Sequence, residues 1–259
     1  MSVVDPILEQ DVHRLVAHIR NKIPKLETIR LENEFEYASV PLCIIDAIFS
    51  LGVRYESTRR TVRQFCKTQG WQLSRTTNFA EPTTSDLICV LEPFSRRFEE
   101  ANPFKNKQRT SPRSGITKAE AVYRFAQILH GFGIETLADA LQKAKAPELK
   151  QAIKSVPGQS SGLSYSYFLI LVGHRDVVKP DRMVRRFVST AMGRQVSPDD
   201  SERLIIAACA ALSREFPHLT AAALDNAIWK FQRGQPLHRL GLGPSRRRRG
   251  EGGPREAGG

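Results

Sequence analysis

A chain of 259 residues can bury a sizeable core, as one large domain or two small ones, and 41% hydrophobic with 25% charged residues marks it as globular. Its 39 Lys and Arg outnumber 27 Asp and Glu, for a net +12 and a pI near 9.9; that balance favours a polyanionic partner, although many basic proteins bind nothing anionic. Apolar runs such as Leu204–Leu212 are too short to span a bilayer, the acidic N-terminus has no signal core, and four scattered cysteines exclude a disulfide framework or a clustered thiolate site.

The first predicted element follows Asp5-Pro6, an amphipathic helix through Ile7, Val12, Leu15, Val16 and Ile19 that Pro24 ends. Ser39 and Pro41 start a second, S-V-P-L-C-I-I-D-A-I-F-S-L-G, in which Asp46 is the only charge. A junction from Ser50 to Tyr55 leads into V-R-Y-E-S-T-R-R-T-V-R-Q-F-C. Thr84 to Phe98 reads as a further helix, interrupted near Pro93. Residues 101–116, A-N-P-F-K-N-K-Q-R-T-S-P-R-S-G-I, form a polar basic loop of a length that is usually functional or disordered. Thr117-Lys118-Ala119-Glu120 then reads as a capping box, with Lys118 either a solvated first-turn lysine or a phosphate contact.

The stretch from Lys154 to Phe187 organises the chain. Leu149, Ile153 and Val156 mark one helical face, and Pro157-Gly158 stops that helix. A six-residue turn, Pro157 to Gly162, launches a second helix through Phe168, Leu169 and Val172. Unpaired N–H groups at its start, with the helix dipole behind them, form an anion site suited to a nucleic-acid phosphate. After Gly173, Lys179-Pro180-Asp181 opens a third helix, with Pro expected at the first helical position and the carboxylate in the first turn.

Further on, Ser197-Pro198-Asp199-Asp200 caps a long apolar helix, and Thr220 caps another that holds Leu224, Ile228 and Trp229. Trp229 at helical spacing reads as core rather than as a base-stacking platform. The last 16 residues, P-S-R-R-R-R-G-E-G-G-P-R-E-A-G-G, are low-complexity and expected to be disordered; they supply +3 of the charge and leave the body +9. Their four-Arg run adds nonspecific phosphate attraction or serves as an inert solvated tail. No run alternates apolar and polar residues between turn signals, so the fold class is all-α.

An apolar residue before Pro157-Gly158, a second helix, a short loop, Asp181 and then Arg186-Phe187 resemble the helix-hairpin-helix DNA glycosylase superfamily, which includes endonuclease III. The second and third predicted helices resemble the family's opening pair, and S-G-I-T-K-A-E-A-V resembles the segment before its hairpin. The resemblance spans roughly residues 35–190. It implies a two-lobed helical bundle with a substrate cleft between the lobes. Residues 35–173 would form the central bundle with the hairpin, 1–34 would pack with the C-terminal lobe 174–243, and 244–259 would be the tail.

The resemblance also implies site residues. Pro157, Gly158, Gln159, Ser160, Ser161 and Gly162 would grip the DNA backbone, with Lys118 beside them. Arg54 and Tyr55 would stand at the junction that wedges the duplex, where Gly52 replaces a common Gln; an ordinary helix–helix turn explains them equally well. Gly158 matches the first hairpin glycine, Ser160 stands at the second, and Gly162 occupies the place of the Schiff-base lysine. The clustered cysteines of the family's iron–sulfur site are absent, so no cofactor and no metal are expected.

Breaking an N-glycosidic bond builds positive charge on the deoxyribose, and Asp181 is the candidate carboxylate to stabilise it or to orient water. A carboxylate that merely favours a helix start is the plainer reading of Asp181. A flipped base needs an aromatic-lined pocket, for which Phe49, Tyr165 and Tyr167 are candidates. Without the lysine, water is the expected nucleophile. The expectation is therefore a monomeric, cytoplasmic, monofunctional DNA glycosylase of base-excision repair type, nucleoid-associated if bacterial. Its partner would be double-stranded DNA, damaged or mismatched, and no membrane. A noncatalytic helix-hairpin-helix DNA-binding protein and an all-α protein-interaction module are the alternatives.

Overall fold

The structure, a computed structural model, describes residues 6–31, 36–76, 79–112 and 115–234. The tail expected over 244–259 and the end of the segment 174–243 lie outside the described residues. Among the described residues the protein has eleven α-helices and no strand, and its only bridge pairs are Tyr37 with Ser74 and Arg109 with Thr117. The all-α expectation holds. No described helix is long and apolar enough to cross a membrane.

Seven helices build one hydrophobic cluster: α2 (Val40–Phe49), α3 (Tyr55–Gln69), α4 (Thr84–Leu91), α5 (Lys118–Gly131), α6 (Leu137–Lys143), α7 (Pro147–Ser155) and α8 (Leu163–Val172). Every residue of α2 is buried, because its apolar run has no polar face to turn outward and it lies against α3, α5 and α8. Helix α8 is likewise buried from Ser164 to Val172. Ile44, Ile45, Ile48, Phe49 and Phe168 are at most 1% exposed, each worth about 1.5–3 kcal/mol of burial.

A second cluster joins α1 (Pro6–Lys22) to α9 (Arg182–Met192), α10 (Pro198–Leu212) and α11 (Ala221–Arg233) through Leu15, Ile19, Phe187, Leu204, Ile205 and Ile228. The chain enters the first cluster after Ile29 and returns to the second at a sharp crossing: Val177 belongs to the first and Val178 to the second. Ala222 at the start of α11 also packs into the first cluster, and its N–H donates to Arg175 O at 3.0 Å. The three residues that follow this crossing are Lys179, Pro180 and Asp181.

Local chemistry sets most boundaries. Ser197 and Thr220 accept the N–H groups of Asp200 and Ala223, as N-caps should. The helix opened at Thr84 ends at Leu91 rather than at Phe98, because Pro93 lacks an N–H and the chain tightens into a 3-10 turn over Glu92–Phe94. Thr117 accepts from Glu120 N–H, giving half of the expected capping box. Helix α6 is absent from the patterns above, although Thr136 and Asp139 close a full box at its start. Cys43, Cys66 and Cys209 are buried and Cys89 is exposed, all four unbridged.

Candidate functional site

The turn between α7 and α8 is tight and internally bonded. Gln159 N–H donates to Val156 O and Gly162 N–H to Gln159 O, each at 2.9 Å. Gly158 and Gly162 adopt φ of 83° and 73°, where a side chain costs about 1–2 kcal/mol. A β-carbon at Gly158 would also stand 2.4 Å from Thr110 Cβ. Glycine is therefore what allows the basic loop to lie against the turn. That loop is pinned by Asn106 on Thr61, at 3.1 Å, and by Thr110 N–H on Ile116 O, at 2.9 Å, and it exposes Lys105 and Lys107.

Within the turn, Pro157, Gly158, Ser160 and Ser161 are exposed. Gln159 and Gly162, expected to face a ligand with them, are buried. Gln159 is 1% exposed and its side-chain amide has no hydrogen-bond partner among the described residues, which costs about 1–3 kcal/mol per group. Gly162 caps α8 without a side chain, and the first-turn N–H of Leu163 reaches Ser161 Oγ only at 3.4 Å. The Lys154 stem runs beside Gly162, its Cδ 3.7 Å from where a β-carbon would be.

At the far end of α8, Asp181 is the N-cap of α9 rather than a first-turn residue, and Pro180 precedes the helix instead of opening it. The physical reason is the carboxylate itself: Oδ1 accepts Met183 N–H at 2.7 Å and Val184 N–H at 3.1 Å from an extended backbone. No described residue donates a hydrogen bond to Oδ2. Half-buried Asp181 thus caps a helix with one oxygen and keeps the other open.

Around it lies a set of polar groups at the junction of the two clusters. The Lys179 ammonium stands 3.7 Å from the centre of the Tyr167 ring. Burial lowers its pKa, while Asp181, Asp46 and Asp225 pull the other way. Asp46 is fully buried in α2 and accepts the Tyr37 hydroxyl at 2.7 Å. Burial, and then the Asp46 charge, raises the pKa of both Tyr37 and Tyr167. Asp225 in α11 is 7% exposed, its Oδ1 has no partner, and burial followed by the Asp181 charge pushes its pKa well up.

The remaining candidates separate. Lys118 is neither solvated nor placed for a phosphate: it is 3% exposed, and its ammonium donates to Phe49 O at 2.9 Å and Leu51 O at 2.7 Å. It ties the start of α5 to the end of α2, and burial lowers its pKa to about 8. Arg54 is exposed at the N-cap of α3. Tyr55 is half-buried with its hydroxyl inside, its ring edge-on to Trp229 at 6.2 Å. Trp229 is accordingly a half-buried junction residue rather than core, stacked by Arg233, which also pairs with Glu56. Phe49 packs on Phe104 inside the first cluster, and Tyr165 donates to Ala144 O at 2.7 Å. Of the three aromatic candidates, Tyr167 alone meets the Asp181 group.

Sequence reasoning missed Lys179 and Asp225. Asp46 carried a signal as the lone charge of an apolar helix, and Asp225 a weaker one, sharing a helical face with Ala221, Ala222 and Ile228. Ser85, His130 and Glu135 also meet, but both partners contact the same ring nitrogen, at 3.2 and 2.5 Å, so no proton relay runs through the imidazole. Among the described residues no group of three or more His, Cys, Asp or Glu is arranged to hold a metal ion.

Residues 13–233 match the family described as Domain of unknown function (DUF8548), and the chain belongs to that family. No curated protein matches it.

Proposed function

We propose that the protein grips duplex DNA with the exposed face of the Pro157–Gly162 turn and hydrolyses the N-glycosidic bond of a flipped base with Asp181. The observation that carries this reading is the placement of Asp181: it keeps one carboxylate oxygen open at the junction of two helical lobes. The rigid helix α8, roughly 15 Å long, separates it from a glycine-bearing turn that begins a helix without a side-chain cap. The family match spans both features and excludes the Arg-rich tail. Likeness to the helix-hairpin-helix glycosylases supplies the reaction class.

In this reading water attacks C1′ of the deoxyribose as the bond to the base breaks. The bonding electrons leave with the base, which takes up a proton, and the water proton passes to Asp181 or to solvent. The open Oδ2 stabilises the sugar cation or orients that water. Gly162 offers no amine where the glycosylases it resembles hold one, so release proceeds without strand cleavage.

The test is base release from a panel of damaged and mismatched duplexes, with affinity measured at several salt concentrations. Binding should weaken steeply with salt, both for the full chain and for one ending at Gly243. Asp181→Asn keeps the cap and the size; it should lower release on the order of a thousandfold and leave affinity nearly unchanged. Affinity flat with salt in both chains would sink the nucleic-acid reading, and full release by Asp181→Asn would remove Asp181 from the mechanism. A noncatalytic DNA-binding protein is the second reading, favoured by the capping duty of Asp181 Oδ1. Salt-sensitive binding with no release from any duplex would establish it.

A further inference from the structure

The basic loop ahead of α5 presents two lysines that the proposed reading leaves unused. Lys105, Lys107 and Arg109 are exposed at every second position, while Phe104, Asn106, Gln108 and Thr110 between them are buried or half-buried. The inward set fixes the backbone. Phe104 is 3% exposed and stacks on Phe65 at 4.9 Å. The Asn106 amide donates to Thr61, and the Asn106 carbonyl accepts from the Asn102 amide, each at 3.1 Å. Further along, Gln108 O accepts Lys118 N–H at 2.7 Å, and Arg109 is committed to Glu99 at 2.8 Å and to Gly115 O at 2.9 Å. Lys105 has φ of 50°, a left-handed backbone that strains a lysine and persists only where its neighbours are anchored. No described residue pairs with the Lys105 or Lys107 ammonium. Two uncommitted cations thus stand on backbone that is already ordered, so binding them loses little loop entropy.

The loop also touches the α7–α8 turn, where Thr110 fills the space that a β-carbon on Gly158 would need. Lys107 lies three residues before Thr110, a span of at most about 11 Å, or roughly three phosphates along one DNA strand. We propose that Lys105 and Lys107 form a second phosphate clamp for duplex DNA, continuous with the Pro157–Gly162 turn. The loop supplies charge where the turn supplies backbone N–H groups. The inference rests on the DNA-binding half of the reading above and is independent of base release.

The experiment measures affinity for an undamaged duplex against salt concentration. It uses the full chain, Lys105→Gln with Lys107→Gln, Lys105→Arg with Lys107→Arg, and a control, Lys22→Gln with Lys25→Gln. The control removes the same charge from two exposed lysines beside the second cluster, and Lys25 is likewise left-handed, at φ 56°. Each phosphate contact adds about 0.9 to the slope of log affinity against log salt, so the Gln pair at 105 and 107 should flatten it by about 1.8. Binding at low salt should weaken about tenfold, whatever the duplex sequence. The Arg pair and the control should keep the wild-type slope. A salt-sensitive wild type whose slope the Gln pair leaves unchanged overturns the clamp and spares the turn. Equal flattening by the control or by the Arg pair also overturns it, as does loss of the helical circular dichroism signal in the Gln pair, because exposed clamp lysines are dispensable for folding. Affinity flat with salt in the wild type removes the DNA reading and the clamp together.

Discussion

Lys118 is buried within the first helical cluster, and Lys179 is half-buried where the two clusters meet. Burial lowers the pKa of each. They differ in what receives the charge. Lys118 donates to two backbone carbonyls, Phe49 O at the end of α2 and Leu51 O in the turn that follows, groups fixed by the main chain. Lys179 is met by a phenol ring, and the carboxyls near it have other supports: Tyr37 on Asp46, two backbone N–H groups on Asp181. A lysine bound by main chain is a fixture, and one bound by side chains is exchangeable.

The comparison is most directly broken at Lys118. Lys118→Met leaves two carbonyls unpaired and should cost about 2–4 kcal/mol in denaturant unfolding. A pH series sharpens the point. The folded protein releases the Lys118 proton near pH 8 while the unfolded chain holds it to about 10.5, so the unfolded state binds more protons in that window. The Lys118 contribution to stability should therefore rise from pH 8 toward 10.5, by at most about 3 kcal/mol, and Lys118→Met should lack that rise. A neutral amine still donates to both carbonyls, so the contact survives deprotonation.

Lys179→Met should be milder, at no more than about 1–2 kcal/mol, since the lost attraction is offset by no longer burying an ammonium. A loss as large as that of Lys118→Met would erase the distinction between the two sites. Asp225→Asn should have the smallest effect and the opposite sign. The folded pKa of Asp225 is raised, so its stabilising contribution is complete below the ordinary carboxylate value of 3.8 and is lost as pH climbs through the raised value. Removing the titration should stabilise the protein by about 1 kcal/mol near neutrality and change nothing in acid. Equal stability of the two proteins at all pH values would show that Asp225 titrates alike in the folded and unfolded chain.

Much of the helical layout is written in short-range chemistry. Ser197 and Thr220 cap because their hydroxyls reach N–H groups three residues on, and Leu149 and Ile153 share a face by helical geometry alone, with Val156 buried beside them as the extended C-cap. Pro93 and the Pro157-Gly158 pair end helices through their own backbone limits. Where two local signals compete, reading along the chain falters. Pro180 and Asp181 each suit a helix start, and the carboxylate won because its Oδ1 collects two N–H groups at once.

The candidate site divides the same way. Gly158, Gly162 and Asp181 were legible as positions, through the turn and cap chemistry that any chain with those residues would show. Whether Gln159 faced out or in, whether Lys118 met water or carbonyls, and whether Trp229 sat in the core or against Tyr55 were decided by packing; the partners of Lys118 lie 67 and 69 residues away in the chain, and Tyr55 is far from Trp229 in sequence. Lys179, Asp46 and Asp225 come from three separate stretches of chain, and apart from Asp46, the lone charge of an apolar helix, each alone looks like an ordinary surface or helix residue. Their meeting depends on the crossing at Val177 and Val178, where the two hydrophobic clusters close on each other. Local propensity extends over a few residues; the dielectric and the partners that give a charge its meaning are set by packing, and packing is a property of the whole fold.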